Sequence, residues 1–136
     1  MSHLSTPIGS SHMWALARDW ARFGLLYVTD GVVGGERVLP RGWVNCPARL
    51  TPGSEDYGYG AGFWTNRGTG SSIEAGMRAG MPGDLFMARG SQGQYLVVIP
   101  SAGLVVVRFG MTYTPPGDIE TVERVLGDAV AGTGAS

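Results

Sequence analysis

The stretch Leu85-Phe-Met-Ala-Arg-Gly-Ser-Gln-Gly-Gln-Tyr-Leu-Val-Val-Ile99, followed by Pro100-Ser-Ala-Gly103 and Leu104-Val-Val-Val-Arg-Phe109, decides the fold. It is rich in β-branched and aromatic residues, broken by one short cluster of turn formers. It therefore reads as a strand over 85–99, a tight turn at Pro100–Gly103 and a second strand over 104–109. Tyr57 to Thr65 alternates glycine with aromatic residues and reads as a further strand. Asp118 is placed to cap a last helix with Ile119, Val122, Leu126 and Ala129 on one face. Upstream, Leu16, Trp20, Phe23 and Tyr27 share a face of a helix expected from His12 to Tyr27, which Asp30-Gly31 ends. Val38 to Pro47 reads as a turn or helix fragment. The expected class is α+β, an antiparallel sheet of three to four strands with an N-terminal and a C-terminal helix.

The chain of 136 residues fits one domain, 1–136, with residues 1–8 expected outside its ordered part. Charged residues make up 15% of it, where about a quarter is usual, so a covered surface is expected. A net charge of −1 gives no electrostatic footprint for nucleic acid. No apolar run is long enough for a membrane span, and no basic region precedes an apolar stretch at the start, so a cytoplasmic location is expected. Cys46 stands alone, which excludes an intramolecular disulfide. All 10 basic residues are arginine, and the chain holds no lysine.

Four stretches carry a resemblance. They are Gly9-Ser-Ser-His-Met-Trp-Ala-Leu-Ala-Arg-Asp-Trp-Ala-Arg-Phe-Gly24, Gly35-Glu-Arg-Val-Leu-Pro-Arg-Gly-Trp43, Tyr57-Gly-Tyr-Gly-Ala-Gly-Phe-Trp64, and Phe86-Met-Ala-Arg-Gly-Ser-Gln-Gly-Gln-Tyr95 running on to Arg108. In this order they resemble the C-terminal portion of the class C β-lactamase and esterase superfamily, in its nylon-oligomer-hydrolase-like branch. The resemblance covers roughly residues 5 to 130 and implies a truncated β-lactamase-like domain.

Members of that family hydrolyse esters or amides through an acyl-enzyme, with a serine in Ser-x-x-Lys as nucleophile and a tyrosine in a Tyr-x-Asn-like motif. An unassisted serine hydroxyl is a weak nucleophile, and a nearby amine accepts its proton. A chain without lysine cannot contain Ser-x-x-Lys, and none of the five tyrosines starts Tyr-x-Asn or Tyr-x-Ser. By resemblance, one part of the family's site falls at Arg89, Gly90 and Ser91, which would bind substrate through a backbone N–H on or near Ser91. Ala88 stands where the family's third motif has lysine or histidine. Leu16 replaces the Thr or Ser of a helix cap, and leucine cannot cap. The family's sheet also holds two strands from the N-terminal part, so the edge of Leu104–Phe109 is expected to be open. A homo-oligomer covering that edge and the helix face of Trp14, Trp20 and Phe23 is expected.

Other chemistry is weaker. Gly68-Thr-Gly-Ser-Ser72 lacks the lysine of a phosphate loop, and no Gly-x-Ser-x-Gly elbow is present. Asp19, Asp30, Asp56 and Asp84 suit turns and helix ends. His3 and His12 are the two imidazoles, within Ser2-His3 and Gly9–Met13, which also resemble cloning-vector remnants. With a carboxylate they would make a divalent-metal site, zinc for example, whose bound water is an alternative nucleophile. Two functions follow as expectations. One is a shortened hydrolase of activated carboxyl or phosphate esters, using metal-bound water on a small-molecule ester. The other is a non-catalytic scaffold, or a half-enzyme needing its N-terminal half.

Overall fold

A computed structural model describes residues 13–69, 80–113 and 117–134. In chain order it has helix α1 (Ala17–Val28), a small hairpin β1 (Val32–Val33) and β2 (Glu36–Arg37), and a 3-10 turn at Trp43–Asn45. Strands β3 (Trp64–Thr65), β4 (Phe86–Gly90), β5 (Gln94–Ile99) and β6 (Leu104–Arg108) follow, then helix α2 (Gly117–Thr133). The four strands form one antiparallel sheet in the order β3-β4-β5-β6. The architecture is α+β, as the sequence leads one to expect.

The sheet is covered on both faces, which explains why its strands are apolar throughout rather than alternating with polar residues. Met87, Tyr95, Val97 and Ile99 point to one face and pack with Ile119, Val122, Leu126 and Val130 of α2. Phe86, Leu96 and Val98 point to the other, where Tyr27 of α1 and Phe63 join them. The α2 stripe repeats at helical spacing; its last buried member is Val130, whereas Ala129 is only partly covered. Helix α1 lies close on the sheet because Gly24 faces Val105 and Leu96. A Cβ at Gly24 would meet Val105 Cγ1 at 2.5 Å.

Three expectations about boundaries are corrected. Residues 85–99 are a hairpin rather than one strand, since Ser91-Gln92-Gly93 turns the chain and Gly90 pairs with Gln94. Gln92 and Gly93 have φ of 62° and 82°, the left-handed region a short hairpin loop needs. Of 57–65 only Trp64–Thr65 is strand, joined by a bridge between Tyr59 and Trp64. Gly58 and Gly62 take φ of 72° and 86°, so alternation with aromatics here makes a looped ribbon. Helix α1 starts at Ala17, not His12. Leu16 is its N-cap in extended conformation and makes no side-chain cap bond. Its carbonyl accepts from Asp19 and Trp20 instead, at 2.9 and 3.1 Å. Asp118 lies inside α2, and its carboxylate accepts the Tyr95 hydroxyl at 3.1 Å. The Pro100–Gly103 turn is as read, a 3-10 turn with Gly103 left-handed.

Burial raises the Tyr27 phenol above its ordinary value, because the phenolate would have to form among Phe63, Phe86 and Phe23. The fold favours the neutral phenol, so this stabilisation is intact below pH about 10 and is lost as pH rises past it. No lysine titrates in that range to obscure the effect. Thermal unfolding followed from pH 8 to 11 is expected to show a falling midpoint, and Tyr27→Phe is expected to flatten that fall. An unchanged slope in the variant would contradict it. No described helix is long and apolar enough to cross a membrane.

Candidate functional site

The β4–β5 hairpin positions the site. Cross-strand pairing sets Ala88 opposite Leu96, Arg89 opposite Tyr95 and Gly90 opposite Gln94. Because side chains alternate along a strand, Ala88 and Leu96 share the α1 face while Arg89 and Tyr95 share the α2 face. The Arg89 guanidinium accordingly lies over the Tyr95 ring, 5.8 Å from its centroid.

The hairpin tip is tied to the end of β6 by side chains that act as extra backbone. Gln94 Nε2 donates to the Gly110 carbonyl, and Gln94 Oε1 accepts from the Gly110 N–H at 3.2 Å. The Thr112 N–H donates to the Gln92 carbonyl at 3.0 Å. Arg108 spans the same junction, giving one nitrogen to the Gly93 carbonyl and another to Thr112 Oγ1 at 2.7 Å. On the α2 side, Tyr95 and the buried Asp118 close the arrangement. A hydrogen bond to a charged group contributes about 1.5–3 kcal/mol, enough to fix the start of α2 against the hairpin.

Above this platform is a groove of about 1020 Å³. Its floor includes Ala88, Gly90, Ser91 and Leu96, and its walls include Trp14 and Trp20. Met13, Phe109 and Met111 extend the apolar lining, and Trp14 is 93% exposed. All three residues expected to bind substrate, Arg89, Gly90 and Ser91, line it. Ser91 and Gly90 are exposed there, and Arg89 is half-buried. Tyr95, beneath the Arg89 guanidinium, lines the same groove.

His3 and His12 lie outside the described residues. Among the described residues no group of three or more His, Cys, Asp or Glu is placed to hold a metal. Cys46 is exposed and unpaired with another cysteine. Asp84, which precedes β4, accepts the Ser101 N–H at 2.7 Å and its hydroxyl at 2.8 Å, so it fastens the β5–β6 turn. Asp30 accepts from Gly42 N–H and pairs with Arg37, closing the loop after α1. Both carboxylates are structural.

The residues missed from sequence are Trp14, Phe109 and Met111 on the walls, and Gln92, Gln94 and Arg108 beneath. One local signal exists. Gly90-Ser-Gln-Gly93 between apolar runs has the composition of a hairpin loop, and reading it so brings Gln94 beside Gly90. The walls come from segments far apart in the chain, which no local pattern brings together. The chain matches no protein-family model and no curated protein sequence.

Proposed function

We propose that this chain is the sheet half of a β-lactamase-like ester hydrolase, supplying the oxyanion-binding wall of an ester site whose nucleophile comes from a separate Ser-x-x-Lys segment. The observation that carries the reading is the placement of Arg89, Gly90 and Ser91 on one groove, beside Ala88 and two tryptophans. The apolar walls suit the acyl or alcohol part of a small ester. A backbone N–H at the hairpin is a donor for the developing oxyanion, a type of contact worth about 2.7–4 kcal/mol in acyl transfer. The incoming lysine would take the serine proton, a step no side chain of this chain can perform by the same route.

Among the described residues no further strand pairs with the outer edge of β6, which supports the same reading. β6 is the last strand of the sheet, and Leu104 to Val107 carry neither charge nor proline. Natural edges are usually blunted by such residues. Here the edge is matched to a further strand, from the nucleophile-bearing half or, in its absence, from a second copy.

The test is complementation. The chain alone is expected to leave p-nitrophenyl acetate intact and to take no fluorophosphonate label. Mixed or co-expressed with the N-terminal half of a family member carrying Ser-x-x-Lys, it is expected to form a complex, take the label on the partner's serine and hydrolyse the ester. An inert mixture that nonetheless forms the complex would overturn the reading. So would ester hydrolysis by the chain alone that a chelator abolishes and that His12→Ala removes, which is the result a metal-bound water on His3 and His12 demands.

A further inference from the structure

Six residues before the groove end of β4, at Asp84, the sheet has a second cavity of about 230 Å³. At the usual rise per strand residue, the two sites lie about 20 Å apart along the sheet. Asn45, Ala48, Arg49, Arg67, Asp84 and Pro100 are among its lining residues. We propose that this cavity binds a compact tetrahedral oxyanion, free phosphate or the phosphate of a phosphomonoester, between the guanidinium groups of Arg49 and Arg67.

Two arginines and one aspartate share this small cavity, yet the ion pairs among the described residues are elsewhere, at Arg22–Asp19 and Arg37–Asp30. Asp84 forms no ion pair with either arginine, its oxygens being turned to the Ser101 N–H and hydroxyl, and its single charge still leaves the cavity with one positive charge in excess. No hydrogen bond or ion pair reaches the Arg49 guanidinium from a described residue. Among those residues Arg67 gives only its Nε, to the Gly83 carbonyl at 3.2 Å, which orients the plane and leaves both terminal nitrogens for a ligand.

The walls are held in place. Val44 and Ala48 pack against the Tyr27–Phe63–Phe86 cluster, which puts Asn45 and Arg49 at the cavity instead of in the core. The carbonyls of Pro47 and Arg49 rest against Gly60, where an added Cβ would meet them at 2.5 and 2.4 Å. On the other wall, Asn66 Nδ2 donates to the Met81 and Pro82 carbonyls at 3.1 and 2.9 Å, and so fixes the loop that reaches Gly83. Guanidinium forks match oxyanions with paired N–H donors. Two forks carried by separate segments address different faces of one anion, and a tetrahedral ion has acceptors for both. A planar carboxylate satisfies one fork.

The test is calorimetric titration of the full chain in phosphate-free buffer at low salt, first with inorganic phosphate, then phenyl phosphate, then acetate. The expected result is saturable binding of one phosphate per chain, weakening as chloride is added. Acetate should bind more weakly. A preference for phenyl phosphate identifies an ester as the ligand, and equal or better binding of inorganic phosphate identifies the free ion. Arg49→Gln should weaken phosphate by about tenfold, the loss of one charge-assisted contact. Since the Arg49 side chain is exposed and holds no other described group, that variant should keep the parent circular dichroism. Arg18→Gln, on the exposed face of α1, should bind as the parent does. Unsaturable binding, acetate binding as tightly as phosphate, or an Arg49→Gln variant indistinguishable from the parent would each overturn the proposal.

Discussion

Phe86→Ala is expected to destabilise the fold by about 3–5 kcal/mol, the usual range for removing a buried phenyl ring from a packed core. Phe86 is fully buried and stands where three rings meet. Its centroid lies 5.5 Å from that of Tyr27 and 5.2 Å from that of Phe63, and those two are 5.4 Å apart, all edge to face. Each such pair contributes about 0.5–1.5 kcal/mol beyond area burial. Alanine here removes two of the three pairs and leaves a void bounded by α1, the looped ribbon before β3 and the sheet. On the α1 side the void cannot close freely, because Gly24 already brings α1 against Val105. Against a total stability of about 5–15 kcal/mol for a domain, the loss is large. Chemical denaturation reads it directly. Phe86→Leu, which keeps more of the volume but loses both ring pairs, should cost less than the alanine variant, about 1–3 kcal/mol. If the two variants cost the same, the ring contacts that both lose account for the whole effect and the void argument fails.

The same residue shows what the sequence can and cannot carry. Phe86 and its neighbours read correctly as sheet because an apolar, β-branched run buried on both faces has a strong composition. Helix α2 is equally plain from the spacing of Ile119, Val122 and Leu126. The break at Ser91-Gln92-Gly93 is hidden because a three-residue polar gap between apolar runs suits either an exposed stretch of strand or a loop. What decides is left-handed backbone at Gln92, which a glutamine does not advertise. At Tyr57–Thr65 the opposite happens: aromatics every second residue mimic a strand, and the glycines between them bend the chain. For the candidate site, Arg89 to Ser91 are reached only through the family resemblance. The apolar walls are contributed by Trp14 before α1 and Met111 after β6, and only the folded sheet brings them to one groove. The arginine pair at Arg49 and Arg67 is invisible for the same reason, since each alone is an ordinary surface arginine.

Gly93→Ala is expected to cost about 3 kcal/mol, far more than a surface-loop substitution ordinarily does. Two terms add. Gly93 has φ of 82°, and a side chain in that region costs roughly 1–2 kcal/mol. The added methyl would then lie 2.6 Å from Arg108 Nη1 and 2.7 Å from Asp118 Cβ. Arg108 can retreat only by releasing the Gly93 carbonyl or Thr112, and Asp118 Cβ is fixed by α2, which its own hydrogen bond with Tyr95 holds to the sheet. Gly103→Ala separates the terms, because Gly103 has φ of 60° and a methyl added there would meet nothing within 4 Å. It should show the backbone cost alone. The hairpin tip displaced in Gly93→Ala is also the edge of the groove, so ester hydrolysis in the complemented enzyme should fall with stability, whereas Gly103→Ala should leave it unchanged. Equal costs for the two glycines would mean that Arg108 and α2 yield freely, and then the hairpin could not hold a backbone donor still enough to stabilise an oxyanion.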